Sequence, residues 1–121
     1  MITNEVAFVA IAVSDAERAR KFYQETLELK PATTAMGGAW VEYELGATTI
    51  GVGCHPAWQP SRDGTTVAFE VDDIRSARAE LIRRGVESIT EIEGGPESLQ
   101  YWAYFKDAEG NLFELVQRVV A

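Results

Sequence analysis

Few residues in this chain can do chemistry, and most of those are carboxylates and aromatic rings. The 121 residues include one histidine, His55, and one cysteine, Cys54. No Ser-His-Asp or Cys-His-Asn pattern is visible, and the neighbours Cys54 and His55 point to opposite sides of an extended segment. One imidazole and one thiol also fall short of metal-ligand spacing. We interpret His55 as a loop residue and predict no covalent catalysis.

Acidic residues outnumber basic ones by nineteen to eleven, and the net charge is −8. Such a chain repels phosphate backbones and anionic membrane faces, so we expect neither nucleic-acid nor membrane binding. The charge either keeps the protein soluble or attracts a cationic ligand. No window approaches the ~20 apolar residues of a membrane span, and the start lacks the pattern of a signal peptide. With no disulfide framework either, we expect a cytoplasmic protein.

The chain is an internal repeat. FVAIAVSD at 8–15 matches TVAFEVDD at 66–73, and 40–51 matches 102–114, with Trp40 on Trp102. We therefore predict a single domain over 1–121, made of two similar units at about 5–54 and 65–118. The connector at 54–64 holds Trp58, which either covers the mouth of a cleft formed by the two units or packs on the body of the protein.

Periodicity predicts the element order βαβββ in each unit. The first unit has a strand near 8–13, a helix from Ser14 or Asp15 to about Glu28, and strands near 30–36, 39–45 and 48–54. The second has a strand at 65–71, a helix from Asp73 that Gly85 ends, and strands near 86–93, 99–106 and 111–118. Each helix covers one face of its sheet. We predict an α+β fold in which a curved mixed sheet surrounds a cleft.

Strand alternation also divides the side chains between a face under the helix and a face toward the cleft. The cleft face combines aromatic rings, small residues and carboxylates, which is the composition of a small-molecule pocket. The predicted ligand-binding residues are Phe8, Trp40, Glu42, Gly51, Thr66, Trp102, Tyr104 and Glu114. For Trp40 and Trp102, a place in the core or in a dimer interface is the alternative.

Two motifs resemble the vicinal-oxygen-chelate superfamily, which includes glyoxalase, bleomycin resistance proteins and extradiol dioxygenases. They are the start FVAIAVSDAERARKFYQETLEL, where an Asp is followed seven positions later by Phe22-Tyr23, and the end DAEGNLFELV, with Asp-x-x-Gly-Asn-x-x-Glu at 107–114. The resemblance covers nearly the whole chain and implies the glyoxalase/bleomycin-resistance-like fold. It also implies a homodimer, because relatives of this size commonly pair. Fold in this group does not fix chemistry.

The resemblance further implies where a divalent ion would bind in metal-dependent members. Their ligands are a His or Gln near the start of each unit's first strand and a Glu on each last strand. The matching positions here are Phe8, Thr66, Gly51 and Glu114. Only Glu114 can ligate, and one carboxylate does not hold a catalytic ion. We expect no cofactor; the alternative is a magnesium or calcium site built from Glu42, Glu70 and Glu114.

The resulting prediction is a metal-independent protein of the bleomycin-resistance kind that sequesters an aromatic or cationic small molecule. In it, Glu114 contacts the ligand or is hydrogen-bonded to Tyr104 or Thr66. The alternative is an enzyme of the superfamily, a lyase, isomerase or dioxygenase, that uses Glu114 as its base or an atypical metal site.

Overall fold

The computed structural model describes residues 7–54, 60 and 66–119. The chain divides into two compact units, Met1–Pro60 and Ser61–Ala121. His55 and Trp58 lie outside the described residues, so the interpretations given for them stay predictions. None of the helices within the described ranges is long and apolar enough to cross a membrane.

Unit 1 contains four strands and one helical segment. The strands are β1 (Val9–Ala12), β2 (Pro31–Ala35), β3 (Trp40–Leu45) and β4 (Thr48–Gly53), and they lie in the order β1-β4-β3-β2. β1 runs parallel to β4, whereas the other pairs are antiparallel. Helix α1 (Ala16–Lys21) continues directly into a π-helical turn at Phe22–Thr26. The predicted βαβββ order is therefore confirmed in this unit.

The start of α1 and its packing follow from the sequence pattern. The Asp15 side chain accepts a hydrogen bond from the backbone N–H of Arg18 and so caps the helix. At the other end, the Tyr23 ring stacks on that of Tyr43 in β3, with centroids 6.0 Å apart. The Tyr43 hydroxyl accepts a hydrogen bond from Gln24 at 3.1 Å. One face of the sheet is thereby buried under the helix, and the opposite face is left for other contacts.

Unit 2 begins with the same order of elements. Its elements are β5 (Val67–Glu70), α2 (Ile74–Arg83), β6 (Glu87–Ser88), β7 (Glu93–Gly95), β8 (Gln100–Lys106) and β9 (Leu112–Arg118). The sheet order is β5-β9-β8-β6, and β7 also pairs with β8. Asp73 caps α2, and Gly85 follows the helix with φ 84°, both as predicted. Together with unit 1, this confirms the mixed α+β class.

The single strand predicted at 86–93 is wrong, because two short strands, β6 and β7, replace it. The break lies at Thr90, whose side-chain oxygen accepts the backbone N–H of Tyr104 at 3.0 Å. The backbone N–H of Ile89 bonds to the carbonyl of Tyr104 at 2.9 Å. A side chain thus takes the place of a backbone acceptor, and the regular ladder is interrupted there.

The motif at 107–114 forms the turn between β8 and β9. Asp107 and Asn111 are both buried, at 7% exposure each. One carboxylate oxygen of Asp107 accepts the backbone N–H groups of Glu109 and Asn111 at 2.8 Å each, and the other accepts the Asn111 side-chain amide at 3.0 Å. This part of the motif therefore acts as a structural clamp that sets the start of β9.

Candidate functional site

In unit 1, the sheet face opposite α1 carries the predicted site residues. Strand pairing places Ala10, Gly51 and Glu42 in one row across three strands, and Ala12, Gly53 and Trp40 in the next. Phe8 precedes β1 and is 42% exposed. The structure thus brings Phe8, Trp40, Glu42 and Gly51 onto one face, as strand alternation indicates.

The indole ring of Trp40 lies across the two glycines of β4. A Cβ atom built on Gly51 or on Gly53 would stand less than 3.0 Å from ring carbons of Trp40. The Trp40 indole N–H donates to the Glu42 carboxylate at 2.9 Å, and the Phe8 and Trp40 rings form a T-shaped pair with centroids 5.1 Å apart. Trp40 is therefore fixed in position, and its ring fills the space that a side chain at 51 would need.

Unit 2 arranges its half of the predicted site differently. Pairing places Ala68, Glu114 and Tyr104 in one row, with Trp102 next to Val116. Where β4 has two glycines, β9 therefore has Glu114 and Val116. A ring cannot lie flat across these side chains as Trp40 lies across glycine. Thr66 precedes β5 and is partly exposed.

Trp102 packs instead against β7, on the other side of its own strand. A Cβ built on Gly94 would come within 3.0 Å of the Trp102 ring and of the Gln100 carbonyl oxygen, and Gly94 has φ 90°. Only glycine fits both the conformation and the close approach. Beside the ring is an open recess, whose lining residues are Gly94, Gly95, Pro96, Glu97, Ser98 and Trp102.

The sequence interpretation missed the loop that walls this recess. Pro96–Ser98 forms a 3-10 turn, and the Ser98 hydroxyl bonds to backbone groups of Gly95 and Gln100. The Gly-Gly-Pro run ahead of a strand was the available signal, because such a run predicts backbone that approaches another group closely. Among the described residues, the recess is thus lined mainly by backbone and by the Trp102 indole ring.

Glu114 bonds to Tyr104, one of the two partners predicted for it. The bond to the Glu114 carboxylate is the main reason that the pKa of Tyr104 lies above its ordinary value of 10.0. Partial desolvation and the negative charges of Glu114 and Glu93 raise the pKa further. A carboxylate next to a phenol favours the protonated phenol, which donates to it. The Tyr104 hydroxyl and the Glu114 carboxylate are therefore neighbours across the β8–β9 pair.

Replacing Glu114 by glutamine will lower the pKa of Tyr104 toward its ordinary value, because the charged acceptor is lost. The interaction of protonated Tyr104 with Glu114 stabilises the folded wild type. Because the pKa of Tyr104 is raised in the folded state, this stabilisation is present below about pH 10 and is lost as the pH rises through the folded pKa. Titration of the tyrosine Cζ resonances by NMR measures this. Glu97→Gln is the matched control, because Glu97 does not contribute to the shift. A Tyr104 pKa that is the same in Glu114→Gln as in the wild type would contradict the assignment.

Three carboxylates considered as ligands for a hard cation already have partners. Glu42 accepts the Trp40 N–H, Glu70 pairs with Arg118 at 3.2 Å, and Glu114 bonds to Tyr104. Among the residues that the structure describes, neither unit groups three His, Cys, Asp or Glu side chains as metal ligands. The four positions implied for a family metal hold two residues without donor atoms, one hydroxyl and one carboxylate, a set that does not fit a divalent ion.

Solved structures share this fold over the whole chain. A member of the glyoxalase/bleomycin resistance protein/dioxygenase superfamily from Sphaerobacter thermophilus is 26% identical, with a TM-score of 0.77, covering 98% of this chain and 100% of that one. TnmS3, an antibiotic binding protein from Streptomyces sp. CB03234, is 25% identical, with a TM-score of 0.76 and 98% of both chains covered. A glyoxalase/bleomycin resistance protein/dioxygenase from Nocardioides, 19% identical, has a TM-score of 0.75 and covers 98% and 87% of the two chains.

The family of this protein follows from its amino-acid sequence. No curated protein matches the chain. The sequence profile of the Glyoxalase/Bleomycin resistance protein/Dioxygenase superfamily matches residues 5–115. This match spans both repeats and confirms the resemblance carried by the motifs at the start and the end of the chain. The protein therefore belongs to the glyoxalase/bleomycin resistance protein/dioxygenase superfamily.

Proposed function

We propose that this protein binds and sequesters a small aromatic or cationic molecule without using a metal ion. The observation that carries the proposal is the position of the Trp40 ring across Gly51. Metal-dependent members are expected to hold a carboxylate ligand there, and a side chain at 51 would collide with the indole. The space for a metal ligand is thus used for aromatic packing.

The remaining donors also favour a site without metal. Zinc requires about three protein ligands, and non-haem iron a triad of two histidines and one carboxylate. Phe8 and Gly51 offer no donor, and Thr66 offers a weakly coordinating hydroxyl. Glu114 is left as the single carboxylate, and its partner is Tyr104.

The open parts of unit 2 suit a flat or cationic ligand. Trp102 presents an aromatic surface beside a recess, and aromatic rings attract flat molecules and cations. Glu97 lines the recess and Glu93 pairs across from Trp102, so the acidic surroundings favour cationic or neutral molecules over anions. That TnmS3, similar over the whole chain, is an antibiotic binding protein supports a binding function of this kind.

Native mass spectrometry of the protein as purified, compared with its denatured mass, tests the proposal. We expect a mass difference that corresponds to an organic molecule, released on denaturation, and no stoichiometric metal. The same spectra report whether the chain forms the homodimer that we propose for a cytoplasmic protein of this family. One divalent ion per chain that persists in native spectra would contradict the proposal.

A second candidate is catalysis with Glu114 as general base, which the place of the carboxylate beside the Tyr104 phenol favours. The variant Glu114→Gln separates the two functions. In an enzyme it abolishes turnover and leaves binding intact, whereas in a sequestering protein it changes affinity alone.

A further inference from the structure

The two tryptophans that the repeat makes equivalent are held in different ways. We propose that Trp102 alone is the indole that contacts the ligand, and that the ligand is a planar aromatic compound with a hydrogen-bond acceptor on its edge. Trp40 is then a fixed structural part of unit 1. This inference rests on the proposed binding function and names the contact residue and the ligand class for it.

Trp40 has little left to offer a ligand. Its indole N–H donates to the Glu42 carboxylate at 2.9 Å, one face lies on Gly51 and Gly53, and the Phe8 ring packs against the indole in a T-shaped arrangement. An indole N–H is a single donor. A ligand would have to displace the Glu42 carboxylate to use this donor, and it would have to share the ring with Phe8.

The Arg20 side chain occupies the space beside the turn that precedes Trp40. It runs through Met36–Gly38, and a Cβ on Gly38 would meet the guanidinium of Arg20. An Arg20 nitrogen donates to the Gly38 carbonyl at 2.7 Å. The equivalent turn in unit 2, at Pro96–Ser98, instead borders the open recess. The two equivalent turns therefore differ: a side chain occupies the space beside the first, whereas the second borders an open recess.

Trp102 borders the open recess, and no described residue accepts its indole N–H. Across residues 7–54, 60 and 66–119, its indole N–H donates to no acceptor. The carbons that approach Gly94 belong to the six-membered ring, and the N–H lies on the opposite edge of the indole. A half-buried tryptophan usually finds a partner for this group. A ligand lying along the ring supplies one if it carries an acceptor such as a carbonyl oxygen.

The residues that line the recess favour an aromatic contact between Trp102 and the ligand over an ionic one. Gly94, Gly95 and Pro96 contribute backbone and small groups, and the Ser98 hydroxyl is already bonded to backbone. Of the described lining residues, Glu97 carries the charged side chain, and its charge disfavours an anionic ligand. A neutral planar molecule with one acceptor therefore fits this lining.

The test uses acridone, a neutral planar aromatic compound with one carbonyl acceptor. The intact protein is labelled with 5-fluorotryptophan, and its three tryptophan resonances are assigned with Trp→Phe variants and followed by 19F NMR. Equilibrium dialysis on the same samples measures the amount of acridone bound. We expect the Trp102 resonance to shift and saturate together with the dialysis curve, while the Trp40 resonance does not move.

Two variants check the contact by affinity. Trp102→Phe keeps an aromatic ring but loses the donor and part of the stacking surface, so we expect acridone to bind about 10-fold more weakly. Tyr101→Phe changes the neighbouring residue, whose side chain points to the opposite face of β8, and should alter affinity by less than about 2-fold. Circular dichroism verifies that both variants are folded.

The outcomes separate this inference from the function on which it rests. If acridone binds by dialysis without moving the Trp102 resonance, or moves the Trp40 resonance, the inference is wrong and the binding function stands. If dialysis detects no acridone on the protein, the inference is overturned, and neutral aromatic compounds are excluded as the ligands of the proposed function.

Discussion

Replacing Gly51 by alanine will destabilise the protein by about 1–3 kcal/mol, the usual cost of overpacking a filled site. Alanine ordinarily fits strand geometry, so backbone conformation does not cause this loss. The cause is the Trp40 ring, which stands less than 3.0 Å from the position of the added methyl carbon. To accept the methyl group, the indole must move away from β4 and strain its bond to Glu42.

A double-mutant cycle with Trp40→Ala measures this effect. Urea denaturation gives the free energy of unfolding of the wild type, both single variants and the pair. We expect Gly51→Ala to cost much less when Trp40 is already alanine. Gly95→Ala is the control, because nothing lies within 4 Å of a Cβ at Gly95. If the two substitutions are additive, the ring does not occupy the space at Gly51 and the main support for the proposed function is lost.

Replacing Asp107 by alanine will cost about 3 kcal/mol in stability, because three donors, two of them on the buried Asn111, lose their acceptor at once. The carboxylate accepts two backbone N–H groups and the side-chain amide of Asn111, itself buried. Water cannot easily replace these bonds in a turn that is 7% exposed at both Asp107 and Asn111. The loss will be seen as a lower midpoint of urea denaturation.

Hydrogen exchange locates the same effect. In Asp107→Ala, the amides of Glu109 and Asn111 should exchange faster, because both donate to the missing carboxylate. Asp72→Ala is the matched control, since Asp72 is exposed, and it should change stability by less than about 0.5 kcal/mol. Stability in Asp107→Ala equal to that of Asp72→Ala would show that the motif at 107–114 is not a structural clamp.

The sequence predicted the fold well where periodicity is strong. Alternation in β3 correctly separates Val41 and Tyr43, which are buried, from Trp40 and Glu42 on the other face. The caps Asp15 and Asp73 mark the starts of both helices. These features are local, so a few neighbouring residues decide them.

The sequence predicted the structure less well where a side chain replaces a backbone hydrogen-bond partner, or where packing determines the position of a side chain. The split between β6 and β7 depends on the Thr90 hydroxyl, which periodicity does not register. The repeat made Trp40 and Trp102 equivalent, yet they differ because Gly53 stands opposite one and Val116 opposite the other. That difference is present in the sequence, but only strand register shows which residues face each ring.

The central claim is ligand binding without a metal ion, and acridone affinity before and after metal removal tests it most directly. The protein is treated exhaustively with a chelator, and the dissociation constant for acridone is measured by equilibrium dialysis. It is then measured again after zinc, nickel, manganese or ferrous iron is added. We predict the same dissociation constant in every sample. Binding that is lost on chelation and restored by one equivalent of a divalent ion would contradict the claim.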